Sequence, residues 1–140
     1  MEIRLLAAAD AGVLDNVAHG VFDNPINPRM AAEFLADPRH HLCVAIEDGV
    51  VIAMASAVHY THPDFKRPEL WINEVGTSPD HRRKGAAKAV LEALKALGRR
   101  LGCSEAWVLT DEDNEAARAL YASVGGAEQT GVVQVNIPLD

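Results

Sequence analysis

Between Leu70 and Thr110 the chain reads strand, loop, helix, strand, and no other feature narrows the possible folds as much. Leu70 to Thr77 is strand-like and ends at Pro79. A helix begins near Lys84, with Ala87, Val90, Leu91, Leu94, Leu97 and Leu101 on one apolar stripe and Lys88, Glu92, Lys95 and Arg99 on the other side. Such a helix packs on a sheet. Gly102 ends it, and Glu105 to Thr110 follows as a strand whose Ala106-Trp107-Val108-Leu109 run is apolar throughout, as expected for a strand covered on both faces. Strand, helix and strand in this order make a parallel crossover.

The loop inside that crossover, Ser78 to Ala87, reads as an anion cradle. It sits where the first N–H groups of a helix lack intrahelical partners. Gly85 allows a ligand close to the backbone, and Arg82, Arg83 and Lys84 add charge. A solvated, well-capped turn would present the same residues.

The remaining chain fits a single domain over residues 1–140, in which 49% hydrophobic residues suffice for one core. Ile3 to Leu6 reads as a first strand and Ala9 to Val21 as a helix with Val13, Leu14, Val17 and Val21 at helical spacing. Asn24 to Pro28 is a breaker, after which Asn27 caps a second helix that has Pro28 at its first position and runs to Asp37. His41 to Glu47 and the long apolar run Val50 to Tyr60 flank Asp48-Gly49, a two-residue hairpin signal, and should pair antiparallel. Thr61 to Glu69, with two prolines, is a loop. Beyond Asp111 to Asn114 comes a helix with Ala117, Leu120, Tyr121 and Val124 on one face, closed by Gly125-Gly126. Two short strands are expected in the tail, Ala127 to Thr130 and Val133 to Ile137.

A net charge of −7 opposes general attraction to a nucleic-acid backbone, so the basic cluster is local. An acidic body with one basic loop suits an anionic cofactor at the loop and a cationic substrate elsewhere. No apolar run approaches a membrane span and no signal peptide is evident, which implies a cytoplasmic protein. Cys43 and Cys103 lie in apolar segments and read as buried thiols. His59 and His62 lack a third nearby ligand for a metal.

The element order, the segment Arg82-Arg83-Lys84-Gly85-Ala86-Ala87, and Asn114 followed by Ala119-Leu120-Tyr121 together resemble the GNAT superfamily of acetyl-CoA-dependent N-acetyltransferases. The resemblance implies a mixed α/β fold: a mostly antiparallel sheet of six to seven strands, splayed between the fourth and fifth, flanked by four helices. It implies acetyl-CoA as cofactor, with the backbone N–H groups of Arg83 to Lys88 (Arg83, Lys84, Gly85, Ala86, Ala87, Lys88) on the pyrophosphate and Arg82 shaping the loop. Val75, Gly76 and Thr77 would pair with the pantetheine arm, and Asn114 would bond to it while also serving as a helix cap. His81 to Gly85, Glu74 and the Asp111 to Tyr121 segment further look like the aminoglycoside 3-N-acetyltransferases, which implies a polycationic amine acceptor and antibiotic resistance. Lys84 stands where Gln is common and Ala86 where a branched apolar residue is usual.

An amine must lose a proton before attacking a thioester, and the departing thiolate is stabilised by gaining one. Glu74 is the candidate base, placed by period-two alternation on the face of Leu70 and Ile72, where desolvation would raise its pKa. Tyr121, inward on its helix, is the candidate acid. A backbone N–H at Val75 would polarise the carbonyl with no metal required. Glu74, Asp111, Glu112 and Asp113 are candidates for an acceptor's ammonium groups, with Asp23 and Glu33 further out, and His59, Tyr60 and Trp71 could cover a sugar face. Acetylation of another small polyamine or a protein amine, or a non-catalytic acyl-CoA-sensing module, would draw on the same cofactor loop. The family resemblance and the exposed edge of the tail strands admit a homodimer.

Overall fold

The computed structural model describes residues 1–140. Five strands lie in one sheet in sequence order: β1 (Glu2–Leu5), β2 (His40–Glu47), β3 (Val50–Tyr60), β4 (Glu69–Thr77) and β5 (Ala106–Val108). The first four pair antiparallel and β4 with β5 parallel, the crossover read from the sequence. The β2–β3 hairpin turns at Asp48 and Gly49, both at positive φ, as the Asp-Gly signal requires. Three α-helices, α1 (Pro28–Ala36), α2 (Ala86–Arg100) and α3 (Glu115–Ser123), join a 3-10 helix over Ala8–Asp15 as the four flanking helices, and one further 3-10 turn spans Pro79–His81.

The sheet separates two apolar layers. Cys43, Ala45, Ala53, Ala55, Ala57, Leu70 and Ile72 pack against Val90, Leu91 and Leu94 of α2. On the other face Leu42, Val44, Val51 and Met54 pack against Leu14, Val21 and Leu35. The small residues of β3 let α2 lie close to the sheet, and its stripe buries Ala86, Val90, Leu91 and Leu94 as the spacing predicts. Both cysteines are buried free thiols, and burial pushes the Cys43 thiol up to about 11.

Three elements differ from the sequence reading. The helix expected over Ala9–Val21 is a 3-10 helix that stops at Asp15. Beyond it the backbone pairs with β3 instead: Val51 N–H donates to Asn16 and Ala18 N–H to Val51, so strand bonding replaces helix continuation. The fifth strand has three residues rather than six and is only partly covered, because its pairing with β4 ends at Ile72 and Val108. The tail strands do not form: residues 127–140 are all exposed and hold no backbone hydrogen bond, so the sheet has five strands where six to seven were expected. Alternating apolar residues make a strand only where a partner edge meets them.

Gly76 shows how tightly the segment after the 3-10 helix crosses the sheet, since a Cβ there would run into the Val21 carbonyl group. Gly76→Ala should therefore cost about 2–4 kcal/mol in chemical denaturation, through a clash with backbone that no side-chain rotation relieves. A second stability determinant is the stacked pair His41 and His59, whose Nε2 and Nδ1 lie 2.8 Å apart. Burial, then the positive charge of His59, lowers His41 to about 4 from the usual 6.5. The unfolded chain takes up this proton first, so the stabilising contribution is whole above pH 6.5 and is lost as pH falls towards 4. After allowance for the ring's partial exposure the loss is about 1–2 kcal/mol, and His41→Gln should flatten the fall of Tm across that window.

Candidate functional site

The site begins with one extra residue in β4. Ala57 pairs with Ile72 and Ser56 with Glu74, leaving Asn73 without a partner in the ladder. A bulge of this kind shifts the side-chain alternation by one residue. Leu70 and Ile72 face α2, and beyond the bulge Val75 takes over that face while Glu74 turns to the opposite one. The placement of Glu74 beside Leu70 and Ile72 by simple alternation is thus corrected, and the residue is exposed on the opposite face of the sheet.

The bulge also marks where the sheet opens. The β4–β5 ladder holds only Leu70 with Ala106, Trp71 with Trp107 and Ile72 with Val108, so from Asn73 to Thr77 the β5 side of β4 has no strand partner. An extended polar ligand can enter this gap and bond to the free backbone edge. Val75, Gly76 and Thr77 lie on this free edge.

The cradle loop lies at the head of α2. Gly85 is the N-cap at φ +77 and offers no side-chain cap, and Arg83 also holds a positive φ of 65. The first helical bond is Ala89 N–H to Gly85, and no backbone N–H from Arg82 to Lys88 donates a hydrogen bond within the chain. Seven adjacent donors at a helix N-terminus form a nest that fits a pyrophosphate, and a Cβ on Gly85 would meet nothing within 4 Å. Arg82 and Arg83 are exposed, whereas the Lys84 ammonium bonds the Glu47 carboxylate at 3.2 Å. Below the loop, Ser78 is buried and its Oγ lies 3.1 Å from His81 Nδ1.

Glu74 and Ser56 floor a cavity of about 270 Å³ walled by Phe22 to Asn27 and by Met30 and Phe34 of α1. The proline-rich breaker thus lines a pocket, and Asp23 stands in its wall, while Glu33 points outward 3.8 Å from Arg29. On the same face of the sheet Trp71 and Trp107 stack at 5.0 Å with planes 7° apart. Trp107 Nε1 donates to the Tyr60 hydroxyl at 2.8 Å, and that hydroxyl donates to Glu69 at 3.2 Å. Burial raises the Tyr60 pKa, and the Glu69 carboxylate adds to the shift. Trp107 and Glu69 were not singled out in the sequence; only the parallel register that sets Trp107 beside Trp71 reveals them.

Tyr121 projects from α3 to the α2 face, into a cavity of about 300 Å³ lined with Leu70, Ile72, Leu91 and Val108. Burial pushes its phenol up, so it stays protonated, and no partner holds its hydroxyl. Glu74 and Tyr121 therefore lie on opposite faces of the sheet. Asn114 caps α3, its Oδ1 accepting from Ala117 N–H at 3.1 Å. Asp111, Glu112 and Asp113 are exposed in the turn before α3 and line neither of the two cavities.

A splayed mixed sheet with an anion nest at the head of the crossover helix suits an acyl-CoA-dependent acyltransferase. The chain belongs to the acetyltransferase (GNAT) family, whose family model matches residues 14–125. It is 27% identical over 120 residues to an uncharacterized N-acetyltransferase of Mycobacterium tuberculosis, covering 86% of this chain and 73% of that one. Among solved structures, an aminoglycoside acetyltransferase from an uncultured soil metagenomic sample superposes with a TM-score of 0.82 at 24% identity, over 99% of this chain and 98% of that one. A second soil enzyme of that description, in complex with sisomicin, gives 0.82 at 17% identity over 99% and 96%. An aminoglycoside N-acetyltransferase in complex with CoA gives 0.75 at 20% identity over 98% and 99%. The protein is a GNAT N-acetyltransferase, and acetyl-CoA is its cofactor. No helix is long and apolar enough to cross a membrane.

Because the nest depends on the left-handed backbone of Gly85, Gly85→Val should weaken CoA binding at least about tenfold by calorimetry, with a loss of only about 1–2 kcal/mol in folding stability.

Proposed function

We propose that this enzyme acetylates an amine of an aminoglycoside, by direct attack within a ternary complex, and so confers resistance to it. The observation that carries this reading is the presence, on one face of the sheet, of a carboxylate over a pocket and of an open aromatic stack: Glu74 on the face that carries Trp71 and Trp107. Carboxylates attract ammonium groups, and flat aromatic faces cover the apolar faces of a sugar ring. Glu74 and Asp23 in the pocket, with Glu69 and Tyr60 beside the stack, match an acceptor carrying several positive charges. Asp111 and Glu112 belong to the outer rim of this reading. The bound sisomicin of one structural neighbour lends support for that protein's own acceptor class.

Acetyl-CoA supplies the acetyl group as a thioester. The N–H groups of Arg83 to Lys88, with Arg82 beside them, hold its pyrophosphate, and the free edge of Val75 to Thr77 together with Asn114 holds the pantetheine arm. Glu74 takes the proton of the acceptor ammonium, directly or through water, which frees the nitrogen lone pair. The Val75 N–H polarises the carbonyl, and the Tyr121 hydroxyl gives its proton to the departing sulfur. The resemblance of His81 to Gly85 and of Asp111 to Tyr121 to the 3-N-acetyltransferases supports the 3-amino group as the acceptor nitrogen.

Thiol release from acetyl-CoA should be seen with gentamicin-like or kanamycin-like acceptors and be much weaker with linear polyamines. No release with any aminoglycoside would remove the substrate class, and product mapping to another nitrogen would remove only the 3-position. Tyr121→Phe should slow kcat by about 10–100-fold with CoA affinity unchanged, whereas equal losses in both would mean a packing role. Glu74→Gln should lower kcat about 100-fold near neutral pH, and an unaltered pH–rate profile would exclude Glu74 as the base.

A further inference from the structure

The pocket at Glu74 and the aromatic stack share a face of the sheet but differ in the hydrogen bonds they can offer. At the stack, the Tyr60 hydroxyl and the Glu69 carboxylate stand beside the two indoles. In the pocket the walls are mostly carbon. Phe22, Ile26 and Phe34 line it half-buried, and Leu35 and Leu42 line it as buried residues. Phe34 lies flat against the His40 ring, with centroids 4.9 Å and planes 9° apart, so this wall is in place before a ligand arrives.

Hydrogen-bonding side chains are few there. Ser56, 8% exposed, offers one hydroxyl opposite Glu74 in the ladder. The Asn27 Oδ1 is taken by the Met30 N–H at 3.1 Å, and Asp23 and Asn24 lie exposed in the breaker. A cavity of about 270 Å³ falls at the small end of ligand sites, which run to roughly 300–1,000 Å³, and so admits one ring rather than a whole multi-ring molecule. A ring entering it meets a carboxylate for its amine and mostly carbon for the rest. A hydroxyl carried into such surroundings leaves water without gaining a partner.

We propose that this pocket selects its acceptor by the substituents around the amine: it admits an ammonium group on a ring edge free of hydroxyls and discriminates against one flanked by them. The inference rests on the reading that places the acceptor amine at Glu74, and adds which part of the acceptor enters there. The hydroxyl-bearing remainder then lies outward over the stack of Trp71 and Trp107, where Tyr60 and Glu69 can bond it. Selection of this kind comes from the walls, since Glu74 attracts an ammonium group whatever its neighbours are. An apolar pocket disfavours an added hydroxyl by roughly 10–100-fold.

Cyclohexylamine and trans-2-aminocyclohexanol differ by one hydroxyl next to the amine. Thiol release from acetyl-CoA should give a kcat/KM at least about tenfold higher for cyclohexylamine. Met30 lines the pocket at 52% exposure, so Met30→Gln should fold and bind CoA as the parent does. Its amide offers the hydroxyl a partner and should lower the ratio by at least about threefold. No turnover of cyclohexylamine, a smaller preference in the parent enzyme, or a ratio unmoved by Met30→Gln would each overturn the inference. Acetylation of aminoglycosides without this preference removes the inference alone. The preference without acetylation of any aminoglycoside removes that substrate class and leaves the selectivity of the pocket standing.

Discussion

The extra residue at Asn73 governs more of this molecule than any contact in its core. A bulge disrupts one rung of the β3–β4 ladder and changes the direction of the bulged strand. That change coincides with the end of pairing between β4 and β5, so the backbone edge of Asn73 to Thr77 is free for a ligand. It also sends Glu74 to one face and Val75 to the other. Without it, Glu74 would point into the α2 layer, where a carboxylate would need a partner that the apolar cluster does not contain.

Two cavities follow from this geometry, one on each face of the sheet, and each receives a different kind of group. The α1 side takes a carboxylate, a serine and an open aromatic stack with its attached acids. The α2 side takes a phenol that burial keeps protonated. In the proposed mechanism a base and an acid held apart by the plane of the sheet serve opposite ends of one displacement without neutralising each other. The nest at the head of α2 adds a third function, and it depends on backbone more than on side chains, since Lys84 is bonded to Glu47 while the N–H groups from Arg82 to Lys88 are left free.

The local signals in the sequence translated directly where the physics is local. Asp48-Gly49 turns the hairpin, Asn27 and Asn114 cap their helices through their side chains, and the heptad-like stripe of α2 buries as spaced. The reading failed where two segments compete for the same hydrogen bonds. Val13 to Val21 has helical spacing, yet Asn16 and Ala18 bond to Val51, because a neighbouring strand edge satisfies the same groups in a different conformation. Tail alternation likewise promised strands, yet residues 127–140 are exposed and pair with no strand of the sheet.

The sequence by itself determined the hairpin, the capped starts of α1 and α3, the buried stripe of α2 and the crossover, since each rests on turn chemistry, capping and periodicity within a few residues. Tertiary structure alone decided which face Glu74 occupies, that Trp107 stacks on Trp71 with its indole N–H on Tyr60, and that Asp23 rather than Asp111 shares the pocket of Glu74. The reason is register. A single unpaired residue in a ladder inverts every side chain beyond it, and its position depends on how two distant strands meet, which period-two alternation within one strand does not encode.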